Sequence, residues 1–172
     1  MTTEAIIKTI AGSMDLTYML GTLFQINQGL DKVVRKKQYP LCLQIQTTDG
    51  SFSPEVTQYY QRIHETQRVR LMFADAIKFD YEPELILDKV AALKAYGLKM
   101  VKHLNASGFF DQIGAVNYSV MYDRFDANLL AVLFEFDLTE SDGVCIEELD
   151  EGEFASAFNS SFKLDRRFNN GQ

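Results

Sequence analysis

The side chains best suited to chemistry are few and scattered. His64 and His103 are the only imidazoles. Neither has a Cys, Asp or Glu at a spacing familiar from metal sites, and His103 falls in the expected last turn of a helix. Cys42 and Cys145 each sit among apolar neighbours. Two cysteines so far apart make no disulfide framework, so both are expected as reduced, partly buried thiols. Glycines are dispersed, and no G-x-S-x-G, P-loop, G-x-G-x-x-G or H-E-x-x-H pattern occurs. Asp137, Thr139, Ser141 and Glu148 occupy positions 1, 3, 5 and 12 of a calcium-loop template. The position that must be glycine is Asp142, however, and Gly143 comes one place late. An acidic loop open to water accounts better for these residues. Asp75, Asp80, Asp123 and Asp126 fall near strand ends and offer carboxylate pairs, as a chain with 24 acidic residues does by chance. The expectation is a protein without catalytic, cofactor-binding or metal-binding residues, needing neither metal nor nucleotide.

Charge is distributed unevenly. The 172 residues carry a net charge of −7. Residues 1–124 hold 14 basic and 13 acidic side chains, whereas residues 125–162 hold ten acidic ones and no Lys or Arg. That second region lacks the cations that phosphate contacts require, which argues against nucleic acid as its main partner. One basic cluster stands out, Lys32, Arg35, Lys36 and Lys37. It reads either as a solvated connection or as an electrostatic contact surface. No run of about 18 apolar residues is present, and the N-terminus lacks the basic-then-apolar layout of a signal peptide, so a cytoplasmic protein is expected.

Periodicity then gives the elements. Ile6, Ile7 and Ile10 share one side of a short helix over 3–12 that Thr2 or Thr3 caps and Gly12-Ser13 stops. Residues 16–34 are ambiguous: Leu16, Met19, Leu20, Leu23 and Phe24 suit a helix, whereas Gly21 and Gly29 weaken it. Alternation predicts strands over 41–46, 66–78, 116–122 and 129–138, the last two joined as a hairpin. Asp49-Gly50 marks a turn, and Ser53-Pro54 is expected to keep the next stretch irregular. Ile86, Val90, Leu93, Gly97, Val101 and Leu104 step by three and four along a helix over 84–105. The predicted fold is α+β: an antiparallel sheet of about four strands, one long helix on a face, and a short N-terminal helix. Residues 1–140 form that domain. Residues 141–172 form an acidic arm in which Phe154, Phe158, Phe162 and Phe168 recur.

Three segments carry a resemblance: Tyr39-Pro40-Leu41-Cys42-Leu43, LMFADAIKFDYEPELILDKVAALKAYGLKMVKHL over 71–104, and YDRFDANLLAVLFEFDL over 122–138. In type and order they resemble the tail terminator and tail-completion proteins of tailed bacteriophages, part of the wider set of head–tail joining proteins. The resemblance covers roughly residues 1–140. The compact members of that family lack an extension like the one after 140. The resemblance implies a non-enzymatic virion protein assembled in the host cytoplasm. It would form a hexameric or dodecameric ring in the neck or at the tail end. Its partners would be copies of itself and neighbouring connector, portal or tail proteins, with passive DNA contact in a channel and no membrane. The alternatives are a monomeric or dimeric protein-binding adaptor and a small enzyme of unknown type. The arm cannot build a core of its own, so its phenylalanines are expected to dock on a neighbouring chain, its acidic run facing Lys32, Arg35, Lys36 and Lys37.

Overall fold

The computed structural model describes residues 2–35, 39–47, 49–56, 61–77, 83–122, 128–141 and 144–145, with side chains except at 31–35, 56, 61, 83 and 144–145. The elements run α1 (Thr3–Ser13), β1 (Thr17–Gly21), α2 (Leu23–Arg35), β2 (Leu41–Ile45), β3 (Gly50–Val56), β4 (Gln61–Ala76), α3 (Pro83–Ala106), β5 (Asn117–Tyr122), β6 (Leu129–Thr139) and β7 (Val144–Cys145). The fold is α+β, built on one sheet of seven strands ordered β1-β2-β4-β6-β5, with β3 and β7 pairing along β4. All pairings are antiparallel except β1 with β2, which is parallel.

This sheet is larger than the antiparallel four-strand expectation and is mixed, for three local reasons. The ambiguous stretch 16–34 divides into strand β1 and helix α2. Thr22 caps α2 reciprocally: its Oγ1 accepts from the Gln25 N–H at 3.3 Å, and Gln25 Oε1 accepts from the Thr22 N–H at 2.9 Å. The Ser53-Pro54 stretch is a regular strand, because β3 pairs on one side only and Pro54 can leave its missing N–H on the open edge. Strand β4 begins at Gln61, five residues before the expected start. The sheet also continues past residue 140 to Val144 and Cys145, which pair with Ile63 and Arg62.

Alternation along the strands sorts two cores. On one face Val69, Leu71 and Phe73 of β4 and Leu130, Val132, Phe134, Phe136 and Leu138 of β6 meet α1 and α3. On the other, Leu41, Leu43, Met72, Ala74, Leu129 and Ala131 meet Ile26 and Leu30 of α2. The long helix packs as its spacing predicts, with Val90, Leu93 and Leu104 buried and Ile86 and Val101 half-buried against the core. Gly97 lies against the Phe134 ring so closely that a Cβ there would fall 2.2 Å from its carbons. Phe134 in turn meets Phe73 edge-on, their centroids 5.7 Å apart. Helix α1 is capped by Thr2, whose side chain accepts from the Ala5 N–H, and runs through Gly12 to Ser13. Asp15 then makes the left-handed turn at φ 58°, a conformation Asp tolerates better than most residues. After α3, Asn105 Oδ1 accepts from the Ile113 N–H at 2.9 Å and ties down the chain leading to β5. Among the described residues, no helix is long and apolar enough to cross a membrane.

Two substitutions test this packing. Leu93→Ala should lower stability by about 2–5 kcal/mol through lost burial and a cavity. Gly97→Ala should lower it by about 1–3 kcal/mol, because the new Cβ displaces the Phe134 ring. Denaturant unfolding measures both, and an unchanged midpoint in either variant contradicts the contact concerned.

Candidate functional site

The part of the molecule that neither core explains is the outer stretch of the sheet, a ribbon in which β4 runs between β3 on one margin and the end of β6 with β7 on the other. Strand β4 has 16 residues. Its half from Val69 onward contributes to both cores, and among the described residues none between Gly50 and Arg68 belongs to either. That outer half pairs with β3 from Gly50↔Gln67 to Val56↔Gln61. Residues Gly50 to Glu55 are exposed on both faces of the ribbon, and Phe52 is 63% exposed.

The ribbon's root is built in detail. Ile45 faces Arg70 and Gly50 faces Gln67, so five steps along one strand match three along β4, and two residues are extra. The break is stitched by Gln46 N–H to Gly21 O (2.9 Å), by Arg68 N–H to Asp49 O (3.1 Å) and by the Thr47 hydroxyl donating to Arg68 O. A cavity of about 260 Å³ opens there, its lining including Glu4, Leu20, Gln44, Asp49, Glu65 and Arg68. Gln44 is buried, and its Oε1 accepts from the Tyr18 hydroxyl at 2.6 Å; burial, with Cys42 and Glu4 nearby, pushes the pKa of that phenol well up. The lining mixes carboxylates, amides, the Thr47 hydroxyl and one guanidinium with apolar Leu20, Ile45 and Val69.

On the opposite side of the root, His64 is held between two acceptors. Its Nδ1 is 3.0 Å from the Glu140 carbonyl oxygen and its Nε2 is 3.1 Å from Glu55 Oε2. A neutral imidazole has one N–H and can satisfy one of them; the imidazolium satisfies both. The Glu140 carbonyl and the Glu55 carboxylate, with Asp111 nearby, accordingly raise the His64 pKa above its usual 6.5. Beside it, the Thr66 and Thr139 hydroxyls are bonded at 2.8 Å, and Arg70 Nε meets Glu135 Oε1 at 2.7 Å. The ribbon is thus joined to the end of β6 by these side chains as well as by the β4–β6 backbone ladder and the Glu140 N–H to Glu65 O bond.

Besides Phe52, Phe109 and Leu85, Leu87 and Leu98 of α3, exposed apolar side chains stand at both ends of the sheet. Leu20 on β1 and Leu23 and Phe24 at the start of α2 lie at one end. Tyr118 and Tyr122 on β5 lie at the other, where the Lys94 ammonium of α3 stands 4.2 Å from the Tyr118 ring centroid.

The residues singled out in the sequence fare differently. Lys32 and Arg35 fall in the last turns of α2, but their side chains, together with Lys36, Lys37, Phe154, Phe158, Phe162 and Phe168, lie outside the described residues. The expected pairing between those two groups lies outside them as well. Asp75 is engaged by Lys89 at 2.9 Å, and Asp80, Asp123 and Asp126 lie outside. Asp137 and Thr139 of the calcium-loop pattern are strand residues of β6, set by its pairing with β4. Cys42 is a free, buried thiol whose burial raises its pKa to about 12. Among the described residues, no three His, Cys, Asp or Glu side chains gather where they could hold a metal ion. Sequence reasoning missed the role of His64, because its partner Glu140 lies 76 positions away and no local pattern joins them.

A raised His64 pKa has a definite sign. The stabilising bonds are fully present below about pH 6.5 and are lost as pH rises through the higher folded-state value. An NMR titration of the imidazole should give a pKa above 6.5, and His64→Leu should remove that part of the pH dependence of the unfolding midpoint. A pKa at or below 6.5 contradicts the two-acceptor geometry.

No protein-family model matches the chain, and a search of the curated proteins finds no relative of it.

Proposed function

We propose that the chain is a structural subunit that works by assembling with other protein chains, forming a ring at the head–tail junction or tail end of a tailed bacteriophage. The observation that carries this reading is the ribbon of β3 and the outer half of β4. It is held beside β6 and β7 by backbone pairing and by His64, Thr66 and Thr139, yet among the described residues it gives no side chain to the cores, and it displays Phe52 to solvent. Such a ribbon suits a contact with another chain, where burying one phenylalanine contributes roughly 1.5–3 kcal/mol. The exposed apolar groups at both ends of the sheet fit the same reading, because they supply contact surfaces on opposite sides of one subunit. The ring and the viral setting come from the resemblance of the three sequence segments, and the acidic, phenylalanine-bearing arm is proposed as a further contact with a neighbouring chain.

The test is the mass of the full chain in solution by light scattering, with negative-stain imaging of the particles. Closed rings of a single subunit number are expected. Phe52→Glu should leave the unfolding midpoint unchanged and weaken joining to the next component of the particle. A stable monomer that copurifies with one partner protein identifies an adaptor instead.

A further inference from the structure

The sheet's two outer strands match each other. Strand pairing places five residues of every main strand in common rows. Thr17, Leu41, Ala74, Ala131 and Met121 share one row; Gly21, Ile45, Arg70, Glu135 and Asn117 share the row four residues away. The edge strand β1 and the edge strand β5 therefore stand level, on opposite margins of one block five residues tall. Their directions are opposed: β1 is parallel to β2, and the three antiparallel steps from β2 through β4 and β6 leave β5 running the other way. Neither edge carries a charge or a proline, the sequences being Thr-Tyr-Met-Leu-Gly and Asn-Tyr-Ser-Val-Met-Tyr. Among the described residues, none pairs with the outer margin of either strand. Free-standing sheets blunt such margins with charges, prolines or bulges, because open N–H and C=O groups invite another strand. Here both margins lack these devices, and each bears a prominent exposed side chain, Leu20 at 46% and Tyr118 at 56%.

We infer that a second copy of this chain sets its β1 edge antiparallel against the β5 edge of the first, so that the sheet continues from copy to copy. The inference rests on the assembly reading above and gives it a surface. Docked level, Leu20 of one copy comes opposite Tyr118 of the next, on the face that α1 and α3 cover. Tyr18 comes opposite Val120 on that face, and Met19 opposite Ser119 on the other. Every row pairs uncharged side chains, and the Lys94 ammonium beside Tyr118 donates to that tyrosine's hydroxyl at 3.2 Å. Because β1 and β5 are different surfaces, the contact is head-to-tail. Each bound copy still offers one free edge, and repetition closes a ring or runs on as a filament.

The arrangement makes a prediction that a two-fold contact does not. Leu20→Glu spoils only the β1 edge, and Tyr118→Glu only the β5 edge. Each full-length variant alone should lose association, its midpoint moving at least about tenfold higher in protein concentration. Mixed one to one, the two should form a dimer and nothing larger, since each keeps the edge the other lacks. Native mass spectrometry and light scattering read the sizes, and circular dichroism checks that both variants melt as wild type does. If the wild-type chain assembles and the variants assemble equally well, the edge contact is overturned while the assembly reading stands. A mixture that stays monomeric, or that restores full-size assemblies, also overturns it. So does loss of association on truncation after Cys145 while both edge variants retain it, which assigns the contact to the C-terminal segment. A wild-type chain that is monomeric at every concentration removes the assembly reading and this contact together.

Discussion

Strand β4 is the constraint on which the rest of the structure depends. Its 16 residues pair with β2 and β3 along one margin and with β6 and β7 along the other. Because side chains alternate, this one strand decides what faces each helical layer: Val69, Leu71 and Phe73 on the α1 and α3 side, Met72 and Ala74 on the α2 side. A slip of one residue in its register would send the first set towards α2 and the second towards α3. Gly97 adds a fixed point above it. The absence of a side chain there lets α3 sit against the Phe134 ring, which turns its edge to Phe73 of β4 itself.

The same strand divides the molecule into a part held by burial and a part held by polar contacts. From Val69 to Ala74 it lies in the interior, except for Arg70, whose guanidinium meets Glu135. From Gln61 to Arg68 it is held by backbone pairing, the His64 clamp and the paired threonine hydroxyls. Polar fastening of this kind fixes geometry while contributing little net stability, since each bond replaces one to water. The outer ribbon is therefore placed in a definite direction without being locked under a core, which suits a surface that completes its burial against something else.

Much of this was legible in the sequence where a single physical signal dominated. The long helix was legible because its apolar stripe and flanking charges agree, and strands β2, β5 and β6 because their alternation is uninterrupted. The stretch 16–34 was not, since Met19, Leu20, Leu23 and Phe24 satisfy helical spacing while β1 owes its pairing to β2, twenty-odd positions on. The reciprocal cap of Thr22 and Gln25 was a usable sign of where the helix begins. The proline at 54 misled because the rule against proline applies to strands paired on both sides. As for the candidate site, residue types singled out the basic cluster and the arm's phenylalanines, whereas the edges that now stand out are products of topology. That β1 and β5 end up level, opposed and uncharged follows from five strands in register, and no window of sequence contains that information.

The two extra residues between β2 and β3 have a consequence for how such a chain can vary. An even number of inserted residues restores the alternation of the strand, so Phe52 and Pro54 stay on the face shared with Gln44 and Leu71. One residue more or fewer at this junction would roll β3 over and carry Phe52 to the side where Ser51 and Ser53 now stand. Length changes here are thus quantised: descendants of this sequence can gain or lose residues at the ribbon's root in pairs and keep its surface, whereas any odd change presents the opposite face to whatever it meets.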